Sequence, residues 1–154
     1  MGKFPKLDSE LEVWVATVVT NSAWAPRVLS VLRIVAALIF MAHGTQKLLG
    51  FPAAPPNGMP AVMTLYWFAG ALELVGGALL ALGLLTRPVA FILSGEMAFA
   101  YFMGHAPRNF YPVLNGGDAS ILYCFVFLYL AAAGPGPWSL DAILKRDGKL
   151  PAWA

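Results

Sequence analysis

GALELVGGALLALGLLTRP, residues 70–88, decides how this chain folds: it is an almost unbroken apolar run with a single carboxylate, Glu73, inside it. With residues 62–69 in front, it gives about 24 largely hydrophobic residues, and about 20 suffice for a helix to cross a bilayer core. Glu73 then falls near mid-membrane. A charged side chain there costs about 2.5–3.5 kcal/mol on insertion scales, so it is expected to face a bundle interior and to find a partner. Gly70, Gly76 and Gly77 stand three and four positions from Glu73 on the same helical face, where small residues let a neighbouring backbone approach closely.

The composition of the whole chain agrees with that run. Hydrophobic residues make up 59% of the 154 residues and charged residues 12%, against about 45–50% and 25% in a soluble domain. The net charge of +2 is small and its basic residues are scattered, which argues against a nucleic-acid partner. The single cysteine, Cys124, leaves no disulfide or CxxC pair within the chain. Redox chemistry would therefore need a borrowed cofactor or a partner.

Outward from the central run, the chain reads as an all-α protein: a four-helix transmembrane bundle with an N-terminal amphipathic interfacial helix. Residues 1–27 form an N-terminal segment, in which Ser9 and Glu12 fit a capping box and Leu11, Trp14, Val15, Val18 and Val19 recur at helical spacing. Such a helix lies in the interface or docks on the bundle or on a partner. Residues 28–134 hold the four spans, at 28–49, 62–85, 89–104 and 119–133, separated by the proline- and glycine-rich 50–60 and the polar, aromatic 105–118. Residues 135–154 form a C-terminal tail, with Ser139 placed to cap a short helix ending at Lys145 and Arg146. Four spans put both termini on one side, together with most of the basic residues, and the positive-inside rule makes that side cytoplasmic. The expectation is a multi-pass protein of the cell inner membrane.

Arg33, Glu73 and Glu96 are ionisable residues inside these spans that are expected to form a buried polar network. Estimated depth gives Arg33 as the cation that answers a glutamate, as a structural ion pair or as part of a proton-handling group. A second polar cluster lies in the outer half, with His43 and Lys47 four apart on one helical face and Asn115 and Asp118 in or near the third loop. Two histidines without ligand-spaced partners do not make a metal site. His–Lys donors beside Trp67, Phe68, Phe102 and Tyr111 suit a carbonyl on a flat apolar head group such as a quinone. The alternative is that both side chains serve the backbone or snorkel to the interface.

The segments RIVAALIFMAHGTQKLLGF (residues 33–51), GALELVGGALLALGLLTRPVA (70–90) and NGGDASILYCFVFLYLAAAGPGPWSLD (115–141) resemble the DoxX family of small membrane proteins. The resemblance covers residues 28–141 and implies a four-helix membrane bundle related to the DoxD subunit of thiosulfate:quinone oxidoreductase. On it, Arg33, His43, Gly44, Lys47, Glu73, Gly76, Gly77, Glu96, Asn115 and Gly116 match the family pattern, and Asp118 stands where many members have glutamate. The functional expectation is a redox-associated subunit that binds quinone or a small oxyanion near the outer face and works with a membrane or redox partner. A non-catalytic accessory subunit of a larger complex is the alternative, since a fold does not set an activity. No covalent cofactor and no catalytic residue are assigned.

Overall fold

A computed structural model describes residues 24–149, and among these it is helical without a strand. Helix α1 runs Trp24–Leu49, α2 Leu65–Leu82 and α3 Thr86–Ala100. The chain after α3 continues through a π turn at Tyr101–His105 and a 3-10 turn at Ala106–Arg108, giving 23 residues of one apolar rod. A short α4, Pro112–Asn115, precedes α5, Asp118–Ala133, and α6, Leu140–Arg146, closes the described chain. By length and hydropathy, α1, α2 and Thr86–Arg108 can each cross a membrane; α5 is apolar but has 16 residues. Length alone therefore supports three crossings where four were expected. The expected interfacial helix lies outside the described residues, apart from Trp24, which opens α1.

The helices pack chiefly as two pairs, α1 with α2 and α3 with α5, joined through α2 and α3. At the first pairing, a Cβ on Gly44 would stand 2.5–2.9 Å from Leu74 and Gly70 backbone atoms, so the two helices cross almost backbone to backbone. The buried core draws on all four long helices: Ala37 and Phe40, Leu80, Ala90, Leu93 and Met97, Phe127 and Leu130. Phe40 meets the Phe127 ring edge-on at 4.8 Å. Large apolar side chains also cover the outside, among them Val35, Ile39, Phe91, Ile92, Leu122 and Phe125. A bundle apolar on both its inner and outer faces is built for lipid rather than water.

One end of the bundle is tied down by two buried charges. Gly83 takes the left-handed conformation, with φ 68°, and ends α2; its N–H reaches the Leu80 carbonyl at 3.0 Å, and the last-turn carbonyls keep accepting capacity and the negative end of the dipole. Arg33, fully buried, answers them. Its guanidinium donates to the carbonyls of Leu80 and Ala81 and, 2.8 Å away, of Pro135, and it also reaches the Trp138 carbonyl. Arg33 therefore pairs with the end of α2 and the C-terminal segment, not with a glutamate as expected. Depth along the sequence ranks side chains against side chains, whereas the carbonyls at a helix end are main-chain acceptors that no side chain marks.

Asp141, also fully buried, accepts 2.8 Å hydrogen bonds from the backbone N–H groups of Leu85 and Thr86, where α3 starts. Ser139 caps α6 through a 3.1 Å bond from the Ala142 N–H, as its position in the sequence suggested. Arg33→Lys keeps the charge but cannot spread over these carbonyls. It is expected to destabilise the fold by about 2–3 kcal/mol, read as a lower thermal midpoint in detergent. An unchanged midpoint would contradict the clamp.

Candidate functional site

At the opposite end, helical spacing gathers polar side chains around one cavity. From α1 come His43, Gln46 and Lys47; from α2, Tyr66, Ala69 and Glu73; from α3, Gly95, Glu96 and Phe99. These residues recur every three or four positions, which places each set on a single face. The π turn carries Met103, Gly104 and His105 to the rim, Arg108 follows, and α5 adds Ala119, Ser120 and Tyr123. The cavity they enclose has a volume of about 980 Å³, at the upper end of ordinary small-molecule pockets. Several of its wall residues, Phe68 and Leu72 on α2, Ile92 and Phe99 on α3 and Met103 on the π turn, are exposed. The cavity is thus open and bordered by exposed apolar side chains of α2 and of the Thr86–Arg108 rod.

Inside it, the Lys47 ammonium and the Glu73 carboxylate form an ion pair, with side chains 14% and 4% exposed. That degree of burial decides its weight: a lone charge left there would be strongly destabilising. Lys47 also lies 4.9 Å from the centre of the Tyr66 ring, a cation–π contact. The close crossing at Gly44 is what brings these two helices near enough for the pair. The second oxygen of Glu73 and both oxygens of Glu96 are buried without a hydrogen-bond partner. Glu96 sits within electrostatic reach of both Glu73 and Lys47. His43 packs edge-on against Tyr123, with ring centroids 6.3 Å apart.

Of the residues expected at the site, His43, Lys47, Glu73 and Glu96 meet at this cavity, whereas Arg33, Asn115 and Asp118 do not line it. Asn115 organises its own loop. Its side-chain amide donates to the Asn109 carbonyl at 2.8 Å and its oxygen accepts from the Gly117 N–H at 2.7 Å, while its carbonyl takes the His105 Nδ1–H at 3.1 Å. Asp118 is exposed at the first turn of α5, where a carboxylate suits the helix dipole. Tyr66, Gly95, Phe99 and Tyr123 were not singled out in the sequence. Spacing of three from Glu96 would have found Phe99; nothing local points to Tyr66 or Tyr123. Among the described residues, no three His, Cys, Asp or Glu side chains gather as a metal site would need.

Removing the cation tests the pair. Lys47→Met leaves Glu73 buried alone and is expected to cost about 3–5 kcal/mol, while the double variant with Glu73→Leu should regain most of that. Additive losses in the double variant would show that the two residues do not depend on each other.

The DoxX family model matches residues 28–106, which include most of α1 and all of α2, α3 and the π turn. An uncharacterized protein of Haemophilus influenzae is 46% identical over 122 residues, covering 77% of this chain and 91% of that protein. An uncharacterized membrane protein of Mycobacterium tuberculosis is 28% identical over 132 residues, covering 75% and 80%. A further uncharacterized protein of Haemophilus influenzae is 30% identical over 99 residues, covering 64% and 65%. No solved structure gives a significant match. With its apolar helices of spanning length and a family match that takes in both members of the Lys47–Glu73 pair, the chain belongs to the DoxX family and is a membrane protein.

Proposed function

We propose that this protein is a redox-associated membrane subunit that holds a lipid-soluble quinone in the cavity between its helices and exchanges it with the bilayer, electrons being handled by a membrane or redox partner. The observation that carries this reading is the apolar border of the cavity: Phe68, Leu72, Ile92, Phe99 and Met103 line it and are exposed. A ligand that lives in the lipid reaches such a site without entering water. The mostly apolar lining favours a ring with a few polar substituents over a small oxyanion, which would give up its hydration for few partners there. His43 and the N–H groups of Lys47 not used by Glu73 are the donors that would meet a carbonyl.

In this reading α5 is the fourth crossing. Its 16 residues span about 24 Å, and Trp138 beyond it suits the interface. Residues 28–134 are then the membrane domain, with 1–27 and 135–154 flanking it on one side. Arg27, Arg87, Lys145, Arg146 and Lys149 cluster at that end, against Lys47 and Arg108 at the other, so the positive-inside rule puts both termini in the cytoplasm. The cavity then lies in the outer half of the inner membrane. The completeness of the Lys47–Glu73 pair favours a second reading, in which the polar groups serve folding alone and the chain is a non-catalytic accessory subunit.

Gly95 separates the two readings. It lines the cavity, and a Cβ there would meet nothing within 4 Å, so the side chain of Gly95→Phe starts into open space and is expected to occupy the cavity. With the chain in lipid nanodiscs, a short-tailed benzoquinone should bind the wild type, and Gly95→Phe should weaken binding at least about tenfold at an unchanged thermal midpoint. His43→Ala should lose about tenfold as well, the loss of one buried hydrogen bond. Quinone binding equal in wild type and Gly95→Phe, or absent from both, would remove the quinone reading.

A further inference from the structure

The buried side-chain atoms left without a partner in the cavity lining are all carboxylate oxygens. Three carboxylate oxygens, Glu73 Oε2 and both of Glu96, are buried with no partner. However many protons the two groups carry, each carboxyl keeps an oxygen that can only accept. Donors also line the cavity, at His43, Gln46, Lys47, Tyr66, Ser120 and Tyr123, but none of them is hydrogen-bonded to Glu96 or to Glu73 Oε2. Depth along the helix separates Glu96 from Arg108. Glu96 lies twelve residues before Arg108 in the rod Thr86–Arg108, about 18 Å if the rise were that of a regular helix.

A ligand made only of acceptors leaves those oxygens bare, and a bare buried acceptor costs about as much as a lost hydrogen bond. A ligand with hydroxyl groups satisfies them. We infer that the cavity is selective for the reduced form of its ligand, a hydroquinone whose phenolic O–H donates to Glu96, over the quinone whose carbonyls can only accept. This rests on the quinone-site reading above and adds the redox state that the site prefers. The groups facing Glu96 fit that assignment. Glu73 and Lys47 compensate one another, so Glu96 is left as the acceptor at the floor, while Gly95 beside it leaves open the space that a ring would take.

The test compares two ligands that differ by two hydrogens. A decyl-tailed benzoquinone and its hydroquinone are titrated under nitrogen against the full chain in nanodiscs, for wild type and for Glu96→Leu. The leucine is of similar bulk and apolar, so it removes both unpartnered oxygens and leaves no buried polar atom in their place. The expected result is hydroquinone binding at least about tenfold tighter than quinone in the wild type. In Glu96→Leu the preference should shrink to about twofold or less, through loss of hydroquinone affinity alone. Should Glu96→Leu not fold, Glu96→Met is titrated in its place, and the wild-type ratio stands by itself. Quinone binding as tightly as hydroquinone in the wild type, or a preference that survives the substitution, overturns the inference while leaving the quinone site standing. Binding of neither ligand overturns both.

Discussion

A charge placed among apolar helices has no water to answer it, and the ion pair between Lys47 and Glu73 meets that constraint at the heart of this structure. The pair joins α1 to α2 where Gly44 lets the two backbones nearly touch. Their crossing sets where the other two helices can pack. Because Lys47 is spent on Glu73, the second intramembrane carboxylate, Glu96, is left facing a cavity instead of a cation. Packing and site chemistry thus share one cause.

The two ends of the bundle use charge in opposite ways. At one end, Arg33 and Asp141 are completely buried and fully engaged with backbone groups, tying the last turn of α2, the start of α3 and the C-terminal segment into one block. Such a block resists opening. At the other end, the helices part around about 980 Å³ of space, with acceptor oxygens still unmatched. Buried charge is engaged with backbone at the closed end, and unmatched carboxylate oxygens lie along the cavity.

Hydropathy made the long helices legible, to within a few residues at most ends, because apolar runs broken by glycine and proline leave few alternatives. The polar partnerships were less legible. Starting α2 at residue 62 put Glu73 about 16 Å in from the outer end, whereas its actual start at Leu65 makes this about 12 Å. Within that smaller depth, Lys47 reaches Glu73 and Arg33 does not. The partners of Arg33 are main-chain carbonyls, which no side-chain pattern marks. Asn115 read as a ligand group because it is polar in an outer loop, yet its amide is consumed by the loop itself. Glu96 was recognisable as an intramembrane carboxylate, but its isolation became visible only once Lys47 was seen to be taken.

The claim on which this account turns is that the space between α2 and α3 is a ligand site reached from the lipid. The most direct measurement is photo-crosslinking in nanodiscs with a benzoquinone whose tail carries a diazirine, followed by peptide mass spectrometry. The account predicts adducts concentrated on Phe68, Leu72, Ile92, Phe99 and Met103, and competed away by unlabelled quinone. Adducts spread evenly over lipid-facing residues such as Val35, Leu122 and Phe125, and untouched by competitor, would contradict it.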